Sequence, residues 1–233
     1  MIIVAPKVIA EINLSHSIYK SSLNSLISIY QDSERNREFR ISEIHELIEK
    51  WSEDNQKLES EGYIPFCEET FDDLNHYQYH VDYLLMNSLF LSAFSMFENH
   101  MKRITNCFSS SEKNLIKPND IKGSGEIDTF RKYIHLVINL DSANCDKHQW
   151  KNILSYKAIR NAVVHNSSIL NKNKKTQLNK VIGYDLLKKH NIWFRGDILY
   201  FRLKNIDFLI DFIELTTQYT RNIIDEYQLK NKP

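Results

Sequence analysis

The sequence predicts an all-α protein, a mainly helical bundle with one short β-hairpin near its C-terminus. The chain of 233 residues holds only five Gly and four Pro, so few positions force the backbone out of a helix. Apolar residues recur at three- and four-residue spacing over long stretches, the period of one helical face. One segment alone, 191–203, alternates β-type residues around Gly196 and Asp197, the pattern of a hairpin. The length suits a single domain over 1–233 with a sizeable core. Within it we distinguish an N-terminal helical extension (1–66), a core (70–170), the hairpin (190–203) and a closing helix (205–229).

Each element has its own signal. Residues 7–31 carry Val8, Ile12, Ile18, Leu23, Leu26, Ile27 and Tyr30 as one apolar stripe, and 38–60 repeat the pattern from Ile41 to Leu58. Ser42 stands near the start of this second helix, which Glu46 and Lys50 support as an i, i+4 pair. Gly62 and Pro65 mark a connection over 61–67. From Thr70 to Phe108 runs the longest periodic stretch, apolar on most sides in its middle, which makes it central to the core or to a dimer interface. Near its start Asp73, His76 and His80 share a face. With no second cluster to complete a ligand set, they read as a solvated surface and not as a metal site.

Residues 109–128 read as a loop. A helix from Thr129 to Leu140, with Asp128 as its N-cap, follows, and after a loop at 141–146 another spans 148–165. Then comes a basic loop with Lys172, Lys174, Lys175 and Lys180, either simply solvated or able to track a phosphate backbone. After the hairpin, Asn205 is the predicted N-cap of the closing helix.

Composition narrows function. Thirty basic residues balance thirty acidic ones, so any anionic partner must meet a local patch and not a global field. Cys67, Cys107 and Cys145 are few, odd in number and without C-x-x-C spacing, which points to a reducing cytoplasm. No apolar run approaches the ~18 residues of a membrane span. A Gly-rich phosphate loop, G-x-S-x-G and H-E-x-x-H are all missing. We expect no metal, no cofactor and no membrane partner.

One constellation remains, the run I-R-N-A-V-V-H-N over 159–166. Asn161 and His165, four apart, share a helical face, whereas Arg160 and His165 are about 140° apart around the axis. The plain alternative is that Arg160 and Asn161 are solvated or paired and His165 is a hydrogen-bonded core histidine. Upstream, Glu98, Lys102 and Arg103 form E-x3-K-R. They are either a surface salt bridge or a set in which Glu98 orients a cation while Lys102 or Arg103 faces a phosphate.

Arg160-Asn161-Ala162-Val163-Val164-His165 resembles the R-x4-6-H signature of the HEPN superfamily, and Glu98-x3-Lys102-Arg103 resembles an element found in part of that family. The resemblance covers roughly residues 70–170. It implies an α-helical bundle that forms a homodimer with the two R-x4-H motifs facing each other. It also implies a metal-independent endoribonuclease acting as a toxin or anti-phage effector, with RNA as substrate and an antitoxin or defence protein as possible partner.

The residue types suit that chemistry. RNA carries its own nucleophile, the 2′-hydroxyl, so an enzyme need only move protons and stabilise the crowded phosphorane. His165 is the expected general acid or base, Arg160 the cation on the scissile phosphate, and Asn161 the group orienting one of them. Glu98 would position Arg160 or Lys102, and Lys102 or Arg103 would bind backbone phosphate. The alternative is a non-catalytic HEPN-like module that binds nucleotide, RNA or protein.

Overall fold

The computed structural model describes residues 6–54, 70–111, 115–170, 180–190, 192, 194–195 and 199–231. Its helices are α1 (Pro6–Asp54), α2 (Asp82–Ser111), α3 (Glu126–Leu136), α4 (His148–His165), α5 (Tyr184–Lys189) and α6 (Ile206–Lys230), with strands β1 (Phe194–Arg195) and β2 (Tyr200–Phe201) between the last two. The strands pair antiparallel, Phe194 opposite Phe201 and Arg195 opposite Tyr200. The expected all-α architecture with a small hairpin is therefore observed. Among the described residues no helix is long and apolar enough to cross a membrane.

The N-terminal region departs from expectation. Instead of two helices, 6–54 is one unbroken helix of 49 residues, roughly 70 Å long at 1.5 Å per residue. The polar stretch between the two apolar runs has no Gly or Pro, and ion pairs at i, i+3 cover it: Asp32–Arg35 at 3.1 Å, Glu34–Arg37 and Arg40–Glu43 at 2.9 Å. Polarity there marks a solvated helical face and not a break. Nor does α1 stand outside the core, since Ile12, Tyr19, Leu23 and Leu26 are all buried in it. The expected connection at 61–67 lies outside the described residues.

The long helix predicted from Thr70 is present, with a π-helical turn at His76–Val81 leading into α2. Met86, Phe90, Ala93, Phe97, Met101, Ile104 and Phe108 of α2 are fully buried. Against α6, Phe94 stacks on Phe212 with ring centroids 5.5 Å apart, and Phe90 meets Phe208 edge-on at 5.0 Å. Such aromatic pairs supply both buried area and a preferred geometry.

The next helix begins three residues early. It starts at Glu126, with Gly125 as N-cap at φ +123°, and Asp128 sits in its first turn instead of capping it. The Asp128 carboxylate still receives a terminal donor, the Ser124 N–H at 2.9 Å. Burial alone would raise its pKa, but that hydrogen bond and the Arg131 guanidinium outweigh burial and hold it below the usual carboxylate range. Arg131 also donates to the Ala143 carbonyl at 3.1 Å, which ties α3 to the turn before α4. The helix stops at Leu136, short of Leu140, and Asn139 turns the chain at φ 62°. Helix α4 matches its predicted span, and Asn205 caps α6 by accepting the Asp207 N–H at 2.9 Å. The short α5 was not anticipated. Of the basic loop, Lys172, Lys174 and Lys175 lie outside the described residues.

A polar cluster that no local pattern announces sits where α1, α2 and α6 meet. His16 Nδ1 faces His100 Nε2 at 3.2 Å, Tyr19 stacks on His100 at 4.2 Å, and the Tyr19 hydroxyl donates to Thr216 Oγ1 at 2.8 Å. One of the two facing nitrogens must carry a proton and the other a lone pair, so the contact exists only while one of them accepts. Burial first, then the neighbouring His16 and Arg103, push the His100 pKa down to about 3. The His16 pKa is lowered as well, by burial first, with Arg221 and Lys20 adding to it and Asp225 opposing.

Between the folded and unfolded pKa values the unfolded chain binds the extra proton. Stability is therefore complete above about pH 6.5 and is lost as pH falls through this window. We expect chemical denaturation to show a loss approaching 1.4 kcal/mol per pH unit below about pH 6 from His100, with His16 adding in the same direction. His100→Gln, which cannot titrate, should flatten that slope; an unchanged slope would remove the pair as its cause.

Candidate functional site

The motif lies at the C-terminal end of α4, and the way this helix is buried explains where its side chains point. Its buried residues Trp150, Ile153, Tyr156, Ile159 and Ala162 step by three. Each step rotates the buried position by about −60°, so the covered face winds around the helix as it passes from one neighbour to the next. That winding is why apolar groups occur on all sides of α4 in the sequence. The next step of the same row is His165, and there the cover ends: His165 is exposed and makes no hydrogen bond to any described residue.

Arg160 is held differently. It is half-buried, and its Nη1 donates to Asn161 Oδ1 at 3.1 Å. The guanidinium carbon lies 5.9 Å from the centre of the Phe94 ring on α2, within cation–π range. Asn161 is therefore paired with Arg160 and not with His165. No carboxylate among the described residues lies within 4.0 Å of Arg160.

Helices α2 and α4 run antiparallel here, with Phe94 and Glu98 near Arg160 and, further back along α2, Tyr83 near the end of α4. Glu98 is half-buried and without a hydrogen bond or ion pair among the described residues. Burial raises its pKa and Glu126 adds to this, while the charges of Arg160 and Lys157 oppose. Lys157 itself donates to the Ser124 carbonyl at 2.7 Å, passing so close to Gly125 that a Cβ there would lie 3.0 Å from its Nζ. The site is thus a junction of α2, α3 and α4, in which Glu98 and Arg160 influence each other across space without contact.

The remaining predicted residues divide. Lys102 is exposed one turn beyond Glu98, on the side the i, i+4 spacing gives it. Arg103 turns away from the motif and lines a cavity of about 330 Å³ with Ser15, Asn99 and His100, so the structure does not bring it to Arg160. Two neighbours were missed. Lys157 is one helical turn from Arg160 and was visible in sequence, but nothing local singled it out. Ser168, buried just past the motif, accepts or donates a hydrogen bond with Tyr83 at 2.9 Å and depends on a left-handed backbone at φ 62°.

Compared with protein-family models, with curated proteins and with solved structures, the chain gives no match. The geometry therefore carries the functional argument.

Because the Glu98 pKa is raised in the fold, the native state binds more protons than the unfolded chain as pH rises above the ordinary value of 4.5. Ionised Glu98 then costs stability at neutral pH, and the cost disappears in acid. Glu98→Gln should be more stable than wild type at pH 7.5 by about 0.5 kcal/mol, the scale of a partly solvated charge, with no gain at pH 4. Thermal melts at the two values check this, and a loss of stability at pH 7.5 would show that Glu98 is a structural partner instead.

Proposed function

We propose that this chain is a metal-independent endoribonuclease that works as a homodimer, with His165 as general acid or base and Arg160 on the scissile phosphate. The observation that carries this reading is the contrast between the two side chains. Arg160 is a fixed cation, braced by Asn161 and Phe94 and with no carboxylate partner among the described residues. His165 is an exposed imidazole with no described partner. A preorganised cation and a free imidazole on one helix are what in-line attack of a 2′-hydroxyl requires.

Asn161 holds the Arg160 fork, Glu98 biases it electrostatically from α2, and Lys102 is placed for backbone phosphate. Five residues on one helix carry Arg160 and His165 about 140° apart. A second copy, with the two motifs facing, lets Arg160 of one chain serve a phosphate attended by His165 of the partner subunit. The proposed role is that of a toxin or anti-phage effector of the cytoplasm, held in check by an antitoxin or other partner protein. A second reading, a binding module without turnover, is favoured only by the half-burial of Arg160, which would also suit packing.

The purified protein should cut RNA in EDTA to 2′,3′-cyclic phosphate and 5′-hydroxyl ends and leave DNA intact, since DNA lacks the 2′-hydroxyl. His165→Ala and Arg160→Ala should each lower the rate roughly 100-fold or more, and His165→Ala should relieve growth arrest on expression. Full activity in both variants, or a strict need for a divalent ion, would refute the mechanism. Harmless expression of wild type with ligand binding but no cleavage would favour the module.

A further inference from the structure

The arginines of this protein fall into two groups. Arg35, Arg37, Arg40, Arg131 and Arg221 each hold a carboxylate. Among the other described arginine side chains, Arg103, Arg160 and Arg202 have no carboxylate within 4.0 Å. Arg202 follows β2 directly, on the segment that continues the edge of the motif. The Leu170 N–H donates to the Leu199 carbonyl and the Phe201 N–H to the Ser168 carbonyl, both at 3.0 Å. This pairing fixes β2 against Ser168–Leu170, three to five residues past His165.

Alternation then sorts the strand. Phe201 and Leu203 are buried, while Tyr200 and Arg202 are half-buried and Lys204 is exposed, so the last three form one outward row. That row meets tyrosines from the helix before it. The Arg202 guanidinium lies 5.4 Å from the Tyr83 ring and 6.0 Å from the Tyr200 ring, and its Nε donates to the Tyr200 hydroxyl at 3.1 Å. Lys204 Nζ lies 5.5 Å from the ring of Tyr79, which is 48% exposed. Tyr79 belongs to the π-helical turn, a local irregularity that recurs at functional sites. The nearby acid, Asp82, is half-buried, and Lys204 stabilises its carboxylate only from beyond ion-pairing distance.

We propose that Tyr79, Tyr83, Tyr200, Arg202 and Lys204 form a platform for unpaired nucleotides flanking the scissile phosphate, a subsite distinct from the cutting residues. Cations without carboxylate partners receive phosphates, and tyrosine faces receive unstacked bases. A duplex keeps its bases stacked on each other and cannot use the rings, so the platform selects single strands. This inference rests on the ribonuclease reading for its substrate but not on the catalytic roles of Arg160 and His165.

The test uses the full-length His165→Ala protein, so that RNA is bound and not consumed, with a labelled mixed-sequence 12-nucleotide RNA read by fluorescence anisotropy. Tyr79→Ala should weaken binding roughly tenfold and Tyr79→Phe should restore it. Lys204→Gln, at an exposed position that folding tolerates, should weaken binding and lower the salt slope by about 0.7. The same sequence as a duplex should bind more weakly than the single strand. Unchanged affinity in both Tyr79→Ala and Lys204→Gln, or equal affinity for duplex and single strand, overturns the platform even where wild type cuts RNA. Platform-dependent binding by a chain that cuts nothing would keep the platform and refute the ribonuclease. No binding by any form of the protein refutes both.

Discussion

Phe94 is where the core becomes the site. One face of its ring is stacked on Phe212 of α6 at 5.5 Å and an interplanar angle of 12°, and the guanidinium of Arg160 lies 5.9 Å from its centre. A half-buried arginine without a carboxylate needs both a geometric brace and some relief of its desolvation. The ring supplies part of each, and the amide of Asn161 supplies the rest. The Phe94 ring is itself held by Phe90 and Phe97, which meet it edge-on at 6.3 Å, and Phe208 and Tyr156 pack in turn on Phe90 and Phe212. Close packing of this kind moves little, so the position of Arg160 is set by the same contacts that hold α2, α4 and α6 together.

Buried polar groups elsewhere do a different job. Arg131, paired with Asp128 on its own helix, donates to the Ala143 carbonyl before α4, and His16 of α1 meets His100 of α2; all four side chains are almost fully enclosed. Ion pairs of this kind add little net stability relative to apolar packing, because desolvation offsets their attraction. They make wrong packings costly, since any displacement of α1 or of the turn at Asp141–Ala143 would strand a buried charge or ring nitrogen.

The fold was legible where one rule acted alone. Helix α4, the long helix through Phe90 and Phe97 and the Asn205 cap each follow from a period or a cap that nothing contradicts. The sequence misled where polarity had two meanings: Gln31–Asn36 looks like a break, yet its charges pair along a continuous helix. Asp128 looked like a cap because its neighbours are those of a cap, but the donor it satisfies is Ser124, placed by the left-handed conformation of Gly125. At the site, Arg160, Asn161 and His165 were visible as odd residues on an apolar helix. The place of Arg103 beside Ser15 of α1 and the approach of Tyr83 to Ser168 were not, because both depend on contacts between segments more than 80 residues apart.

Electrostatic economy links these features. A chain of zero formal net charge has no general attraction for a polyanion, so any such attraction must come from cations left unneutralised at chosen places. Most of the described arginines are neutralised by a carboxylate three or four positions along their own helix. Arg160 and Arg202 instead rest on aromatic rings, which steady a guanidinium without cancelling its charge. A carboxylate partner would have given tighter local pairing but would have screened the cation from any phosphate. Glu98 shows the same compromise from the other side: it stands near enough to bias Arg160 but makes no ion pair with it, and its raised pKa is the mark of a carboxylate held in place without full compensation. Two of the three described arginines without a carboxylate, Arg160 and Arg202, lie along this edge, and each keeps its charge against an aromatic ring.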